Sequence, residues 1–421
     1  AMALPLAASA QQVINLTVAS SHPTPIPWIG FIKDVFMPEV DKRLAAGGKY
    51  KIQWKEAFGG QLYKANATLT SVEQGITDIG WVFSYLEPAK MPISQLSVHT
   101  PFVTSDTRIV LGAMNELIEK NPAFRNEWDK YNLVFLGATG SDTYDLYTKF
   151  PVKSIEDLRG KKISAPGILG LWLRGVGATP VDGALTTFYT DIQTGVSEGV
   201  VSLATGILPT KIYEVAPYVT KVNMGVVFSG GLAINKDTWA KLPPEVQTAM
   251  REAGAEYSRR HGEDLVTRHD AALARMVEIG KTQNPPVTVT PMSEADRRKW
   301  IDSLPPLSQE WVKNNAARGT QAQALLTQYI AAVKARGAKP HPARFAAFSI
   351  QATRLGGPNG RAQALPVLLS GRPTCTVCPP SWSGVVSPLT WKPHHDNFLY
   401  FPILDRSAQQ CEFVGCLSRS N

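Results

Sequence analysis

Cysteine is missing from most of this chain of 421 residues, because all four cysteines lie in its last fifth. The chain before Cys375 can therefore hold neither internal disulfide bonds nor zinc sites built from thiolates. The cysteines form a C-x-x-C pair (Cys375 and Cys378) and a C-x4-C pair (Cys411 and Cys416). Three interpretations stay open for them: a zinc site, two disulfide bonds in an oxidising compartment, or cysteines without a shared role.

Long apolar runs are also missing, and no stretch reaches the roughly 18 residues that suggest a transmembrane helix. The net charge is +8, but the basic residues are scattered and form no cluster typical of nucleic-acid binding. The chain also has no G-x-x-x-x-G-K-[ST] sequence to hold nucleotide phosphates. These absences predict a protein that neither spans a membrane nor binds nucleic acid.

The amino terminus, AMALPLAASAQQ, combines small and apolar residues with an A-x-A pattern at Ala8-Ser9-Ala10. Such a pattern is typical of the end of a secretory signal, with cleavage after Ala10. We therefore interpret residues 1–12 as a signal-peptide remnant and expect an exported, periplasmic protein. A flexible leader derived from a tag is the alternative.

Residues 341–421 differ from the rest of the chain. Proline, glycine and serine recur there, acidic residues are few, and no helical or strand period is sustained. We expect an irregular C-terminal extension without a fold of its own. The adjacent His394 and His395 suggest a metal site, but no patterned scaffold surrounds them.

The body of the chain alternates strands and helices. A strand at 13–20 is followed by an amphipathic helix, and the pattern then repeats with segments at 28–46, 50–57, 65–75 and 76–83. Further strands are predicted at 132–139, 143–149 and 160–166. The β-α-β-α-β order predicts an α/β protein with a parallel, doubly wound sheet.

One very long helix is predicted over 242–280. Pro243-Pro244 suit its first turn and Gly280 suits its end. Gly254 and Gly262 each weaken it by about 1 kcal/mol relative to alanine, so a kink or break is an alternative. Because no heptad pattern is sustained, the helix is predicted to be a strut across two lobes.

The centre of the chain resembles the signature of TRAP-transporter solute-binding proteins, the C4-dicarboxylate-type periplasmic receptors. Segments near 58–81 and 213–250 are similar to the same family, and the resemblance covers roughly residues 13–339. The matching central positions are Leu158-Arg159-Gly160, Pro166, Gly177-Ala178-Thr179-Pro180, Tyr189, Gln193, Gly195 and Glu198-Gly199.

The resemblance implies a two-lobed periplasmic binding protein with hinge strands and a long lobe-spanning helix. We assign 13–141 plus 229–270 to lobe I, and 142–228 plus 271–340 to lobe II. A small solute would bind in the cleft and be delivered to the membrane permease subunits of a TRAP transporter. No cofactor and no metal site are assigned, and a monomer is expected.

Four positions depart from the family pattern. Where the family has arginines that hold a ligand carboxylate, this chain has Ser164 and Thr143, and Ser202 and Leu185 replace an asparagine and an aromatic residue. A buried carboxylate without a paired cation is costly. Either the solute is not a simple carboxylate, or a cation such as Arg174, His22, Lys211 or a bound metal ion replaces the arginine. The alternative for Arg174 is a solvent-facing helix residue.

Hydroxylic and aromatic residues are the other ligand-binding candidates. They suit an organic acid that is aromatic or hydroxylated, with a neutral solute as the alternative. Each tryptophan has the core as its alternative role, and His22 has a loop role. The candidates are His22, Trp28, Trp81, Phe83, Ser84, Tyr144, Pro166, Trp172 and Tyr189.

Enzyme motifs are weak. GVSEG at 195–199 formally fits a nucleophile elbow, but a helical segment precedes it where a strand is needed. His261 and His269 lie eight residues apart on the long helix and are interpreted as residues of a solvated face. We expect a receptor and no enzyme. A receptor of the same fold that presents its ligand to a sensor or signalling protein is the alternative.

Overall fold

A computed structural model describes residues 11–317, 319 and 321–341. The signal-peptide remnant apart from Gln11 and Gln12, and the C-terminal extension apart from His341, lie outside these residues. So do the four cysteines and the pair His394-His395. The predictions made for them therefore remain predictions.

The sheet of lobe I has five strands in the order β2-β1-β3-β10-β4. The first three strands run parallel, which confirms the predicted β-α-β-α-β order, whereas β10 is antiparallel to both of its neighbours. This returning strand was not predicted. The strands are β1 (Gln12–Ala19), β2 (Tyr50–Ala57), β3 (Ile79–Val82), β4 (Leu133–Gly140) and β10 (Phe228–Asn235).

Helices cover this sheet. The helix predicted at 28–46 consists of two α-helices joined by a π-helical turn at Ile32–Phe36, a local widening of the helix. Its apolar side is buried, with Ile29, Phe36 and Val40 fully enclosed. The helices are α1 (Pro27–Phe31), α2 (Met37–Gly47), α3 (Thr68–Glu73), α4 (Thr107–Lys120) and α5 (Pro122–Asp129).

The sheet of lobe II has six strands in the order β11-β9-β5-β8-β6-β7. Its strands are β5 (Tyr144–Thr148), β6 (Lys162–Pro166), β7 (Thr179–Gly183), β8 (Gly199–Leu203), β9 (Tyr218–Lys221) and β11 (Thr288–Pro291). A 3-10 segment, Gly167–Leu173, follows β6. The helices of this lobe are α6 (Phe188–Gln193), α7 (Ala204–Thr210) and α10 (Glu294–Ser303).

Two stretches of chain join the sheets side by side, one between β4 and β5 and the other between β9 and β10. They are hydrogen-bonded to each other: the amide of Ser141 donates to the carbonyl of Val227 at 2.9 Å, and that of Tyr144 to Gly225 at 3.1 Å. Two hydrogen-bonded segments that pass side by side from one sheet to the other are the arrangement expected of hinge strands.

A short helix α8 (Lys236–Lys241) precedes the 37-residue helix α9 (Pro244–Gly280). The first part of α9 packs on β4, α2 and α4, and its last part on α7 and β11. It is unbroken at Gly254, where a side chain would collide with the backbone of Leu136 in β4. The glycine that weakens the helix thus lets it approach the sheet closely, and the predicted strut is confirmed.

The last two helices of the described residues, α11 (Leu307–Ala316) and α12 (Ala322–Ala335), correct the predicted lobe boundaries. Residues 271–340 were all assigned to lobe II. Trp311, Leu326 and Ile330 are instead buried in the core of lobe I, together with Val110 and Met114 of α4. The chain therefore returns to lobe I after α10, because the apolar sides of α11 and α12 are buried against that lobe.

Candidate functional site

A cluster of aromatic rings lies at the carboxyl ends of β1 and β3 in lobe I. The ring of His22 meets Trp81 edge-on with centroids 5.2 Å apart. Trp81 stacks on Phe83 at 4.7 Å, and Phe83 stacks on Tyr85 at 5.6 Å. Trp28 lies 5.8 Å from Trp81. The structure thus brings together His22, Trp28, Trp81 and Phe83, which were selected from separate stretches of sequence.

Two polar atoms are buried without a hydrogen-bond partner in the described part of the chain: the indole Nε1 of Trp28, and the hydroxyl of Ser84, which lies between Phe83 and Tyr85 in the sequence. The indole of Trp81, by contrast, donates to the Thr139 hydroxyl at 2.9 Å. Leaving a buried donor unpaired costs about 1–3 kcal/mol. Trp28 and Ser84 therefore carry polar groups whose hydrogen bonds the described residues do not supply.

The two lobes touch along the 3-10 segment Gly167–Leu173. The hydroxyl of Tyr85 in lobe I donates to the Pro166 carbonyl and accepts from the Leu169 amide at 3.3 Å. The Trp172 indole donates to the Val98 carbonyl at 2.7 Å, and its ring meets Tyr144 edge-on at 5.6 Å. Trp172 thus has a bracing role between the lobes, and Pro166 contributes its backbone to the same contact.

Two of the predicted positions, Ser164 and Ser202, belong to the face of the lobe II sheet that lies opposite to Tyr144. Successive residues of a strand point to opposite faces, so Tyr144 and Asp145 diverge. Ser202 in β8 lies directly opposite Asp145 in β5. Ser164 in β6 is beside Val200, two positions before Ser202, and so shares its face. Ser202 is buried, and its hydroxyl has no partner within the residues described.

Ser164 and Thr143 are both committed to internal hydrogen bonds. The Ser164 hydroxyl is fully buried and bonds to that of Ser197 at 2.8 Å, and the Thr143 hydroxyl accepts from the Gly225 amide at 3.2 Å. The Ser164 bond also accounts for the serine of the GVSEG motif: Ser197 is fully buried and its hydroxyl is bonded to that of Ser164, and among the described residues no histidine is hydrogen-bonded to it as a base would be.

A buried charged group lies on the same sheet face as Ser202. The Nδ1 of His269 in α9 is 2.9 Å from an Asp142 carboxylate oxygen, and its Nε2 is 3.4 Å from Asp145. Burial lowers the pKa of His269, but hydrogen bonds and charge from both carboxylates outweigh this effect and raise the pKa to about 9. His269 is therefore a buried cation at neutral pH.

Both carboxylates also accept other hydrogen bonds. Asp142 accepts from the Thr205 hydroxyl at 2.6 Å, and one oxygen of Asp145 accepts from the amides of Val222 and Asn223 at 2.7 and 2.8 Å. These donors stabilise the negative charges without neutralising them.

The interpretation of His261 and His269 as residues of a solvated helix face was wrong, because both are buried. His261 shares a hydrogen bond of 3.1 Å with the Gly140 carbonyl, and burial lowers its pKa to about 4. Sequence reasoning also missed Asp142 and Asp145. The available signal was the pair itself, with Asp142 just before strand β5 and Asp145 inside it.

None of the three proposed replacement cations is a free, buried positive charge. Arg174 is half-exposed and pairs with Glu310 at 3.0 Å, which agrees with its solvent-facing alternative. Lys211 is exposed. Burial lowers the pKa of His22, so its ring is neutral at neutral pH. Among the described residues, no three or more His, Cys, Asp or Glu side chains are placed so that they could hold a metal ion.

Leu185 and Tyr189 lie apart from the aromatic cluster. Leu185 is half-buried and packs toward Gly206 of α7. The Tyr189 hydroxyl donates to Glu214 at 3.2 Å on the exposed side of α6. Neither has an unpaired polar atom that would mark it as a ligand contact.

A cavity of about 600 Å³ lies away from these candidates, on lobe I beside α4, α8 and α9. Its lining includes Phe135, Trp239 and Arg251 but no predicted site residue. A smaller cavity of about 170 Å³ opens at the hinge and reaches Asp142, Thr143 and His269. The hinge cavity, and not the larger one, adjoins the buried polar groups.

Known proteins share this fold and sequence pattern. Residues 31–315 match the model of the DctP family, described as "Bacterial extracellular solute-binding protein, family 7". A solute-binding protein of Sulfitobacter sp. strain NAS-14.1 is 28% identical over 230 residues, which are 53% of this chain and 68% of that protein.

Two solved structures are similar over nearly their whole length. One is a TRAP periplasmic solute-binding protein from Desulfovibrio salexigens, with a TM-score of 0.65 and 25% identity over 79% of this chain and 99% of that one. The other, a marine metagenome TRAP protein described as specific for aromatic acids, has a TM-score of 0.66 and 19% identity over 77% and 99%.

The family and the structural neighbours are solute receptors and not enzymes. TRAP solute-binding proteins act outside the cytoplasm and work with membrane permeases. In the described part of the chain, no helix combines the length and the apolar composition that crossing a bilayer requires. The match over 31–315 covers well over half of the chain, which therefore belongs to family 7 of the bacterial extracellular solute-binding proteins, the DctP family.

Proposed function

We propose that this receptor captures a small organic acid, aromatic or hydroxylated, between its two lobes and delivers it to a TRAP-type permease. One chain supplies both walls of the cleft, so we propose that it acts as a monomer. Cleavage of the leader near Ala10 and a periplasmic location are part of the same proposal.

The carrying observation is the pair of unpartnered polar atoms, Trp28 Nε1 and Ser84 Oγ, beside the stacked rings of Trp81 and Phe83. A flat solute can stack on such rings while accepting hydrogen bonds at its edge. Binding would recover the 1–3 kcal/mol or so that each unpaired buried group costs. The marine metagenome TRAP protein of similar fold was solved with 3-hydroxybenzoate, which supports an aromatic acid as the solute.

A neutral hydroxylated solute is the second candidate. A neutral solute needs no positive charge, and neither Ser164 nor Arg174 offers one. The Ser164 hydroxyl is bonded internally, and the Arg174 guanidinium is paired with Glu310. Neither supplies the bidentate cation that a carboxylate prefers. Indole and hydroxyl donors hold a neutral hydroxyl or carbonyl oxygen as well as a carboxylate oxygen.

Calorimetric titration of the full chain with benzoate, 3-hydroxybenzoate, pyroglutamate, galacturonate and neutral polyols tests the proposal. We expect micromolar binding of at least one compound. Trp28→Phe keeps a ring but removes its donor, and Ser84→Ala removes the hydroxyl, so each should weaken that binding about fivefold.

Trp54→Phe is the matched control. Trp54 also loses an indole donor, but its partner is Asp41 on the surface of lobe I, 3.1 Å away. The Trp54→Phe variant should bind the solute with the same affinity as the unaltered protein. Binding that is insensitive to Trp28→Phe and Ser84→Ala would place the solute elsewhere, and failure of every compound to bind would refute the proposed solute class.

A further inference from the structure

The cavity of about 600 Å³ on lobe I has no part in the capture of a solute between the lobes. It lies where β4 forms the edge of the five-stranded sheet, between this strand and helices α4, α5, α8 and α9. Its volume is typical of sites for small molecules, which range from about 300 to 1,000 Å³. Its apolar lining consists of Ile118, Val134, Phe135, Leu136 and Trp239.

Positive charges outnumber negative ones in the lining of this cavity. Arg125, Lys236 and Arg251 are the cations, and Glu119 and Asp129 are the anions. Asp129 is paired with Lys236 at 3.6 Å. Arg125 donates to the backbone carbonyl of Glu119 at 2.8 Å, and no described ion pair joins it to the carboxylate. Two arginines and one carboxylate remain, so the cavity keeps a positive charge that attracts anions.

Arg251 is held in place without using its hydrogen-bond donors. Its guanidinium carbon lies 4.7 Å from the centre of the Trp239 ring, a cation–π contact, and no described residue accepts a hydrogen bond from the guanidinium. The donors of a guanidinium lie in its plane and match the two oxygens of a carboxylate. Arg251 and Arg125 are both exposed, so a molecule from solution can reach them.

We propose that this cavity is a second binding site, separate from the cleft, for a small carboxylate with an apolar body. Arg251 and Arg125 bind the carboxylate, and the apolar body is buried against Phe135 and the other apolar residues of the lining. None of the candidates for the cleft lines the cavity, so this inference goes beyond the proposed function and does not depend on it.

Fluorine NMR of the full chain tests the site, with 5-fluorotryptophan in place of the ten tryptophans. The resonance of Trp239, assigned by its loss in Trp239→Phe, reports on the wall of the cavity. Benzoate should shift this resonance saturably, with a Kd below about 1 mM. Benzamide lacks the charge and acetate lacks the apolar body, so each should bind at least about tenfold more weakly than benzoate.

Two substitutions locate the carboxylate. Arg251→Gln and Arg125→Gln should each weaken the binding of benzoate about tenfold, because each removes a charge-assisted hydrogen bond. Both side chains are exposed, and unchanged resonances of the other tryptophans will show that the fold is kept. Arg275→Gln is the matched control. It removes the same charge from an exposed arginine of α9 that pairs with Glu278, outside the cavity, and should leave the Kd unchanged.

Trp28→Phe separates this site from the cleft, since it should leave the titration of the Trp239 resonance unchanged. The second site is overturned if that resonance does not shift saturably, if benzamide binds as tightly as benzoate, or if both arginine variants keep the affinity. It is also overturned if Trp28→Phe abolishes the shift, because the shift would then originate in the cleft. A Trp239 titration that meets these expectations supports the second site even if no compound binds in the cleft.

Discussion

The indole Nε1 of Trp172 donates a 2.7 Å hydrogen bond to the carbonyl oxygen of Val98, which fixes a side chain of lobe II to the backbone of lobe I. Because both groups are buried, opening the lobes must break this bond and expose the Trp172 ring. The bond therefore contributes to the closed arrangement and not to the stability of either lobe alone.

Trp172→Phe should shift the protein toward an open form. Loss of the donor costs about 1 kcal/mol in the closed form only. Small-angle scattering without solute should show a larger radius of gyration than for the unaltered protein. Trp54→Phe, whose lost bond lies within lobe I, should leave the radius unchanged. Equal radii for both variants would contradict a closing role for Trp172.

Gly254→Ala should destabilise the protein although alanine is the better helix former. The new side chain would collide with the Leu136 backbone, so α9 must move away from β4. We expect a loss of about 2 kcal/mol in urea unfolding, where an unstrained helix site would gain about 1 kcal/mol. Gly262→Ala is the control, since its nearest neighbour, the Arg108 backbone, is 3.3 Å away. Equal effects at the two sites would contradict the packing explanation.

Stability should fall as the pH rises from about 7.5 to 9.5. The pKa of His269 is about 9 in the folded protein against an ordinary value of 6.5. A raised histidine pKa contributes its full stabilisation below pH 6.5 and loses it as the pH passes 9. The whole pKa difference corresponds to about 3 kcal/mol of stability, and about 2 kcal/mol of it should be lost between pH 7.5 and 9.5, measured by urea unfolding.

His269→Gln isolates this effect, because its unfolding free energy should vary much less over the same range. The measurement begins at pH 7.5 because burial raises the pKa of Glu127 to about 7, which adds a separate dependence at lower pH. A profile for His269→Gln as steep as that of the unaltered protein would assign the titration to another group.

Ser164→Ala and Ser202→Ala should have opposite effects. The Ser164 hydroxyl is bonded to Ser197, so its loss should lower stability by about 1 kcal/mol and leave solute affinity unchanged. The Ser202 hydroxyl has no partner among the described residues, so its loss removes an unpaired buried group and should raise stability slightly. Thermal unfolding and calorimetry on both variants distinguish the two roles.

Much of the fold could be predicted from the sequence because its signals are local. Alternating apolar residues marked β1, and the proline and glycine at its two ends marked α9. The return of α11 and α12 to lobe I could not be predicted, since their apolar faces do not specify which lobe covers them. The antiparallel strand β10 depends in the same way on a pairing with β3 and β4 that only the folded chain defines.

The candidate site was predictable in part. His22, Trp28, Trp81 and Phe83 meet as expected, because residues at the carboxyl ends of neighbouring parallel strands converge. The charged group of Asp142, Asp145 and His269 was missed, because helix α9 brings the histidine across more than a hundred residues of chain. No spacing in the sequence reveals such a contact.

The length of α9 also bears on how the permease could sense a captured solute. A helix of 37 residues is about 55 Å long, so a turn of about 10° around its centre moves each end by about 5 Å. The two ends of α9 pack on different sheets. A small closing motion at the hinge is therefore expected to displace the helix ends by a larger distance. We therefore expect a permease that contacts an end of α9 to respond to this displacement without touching the solute.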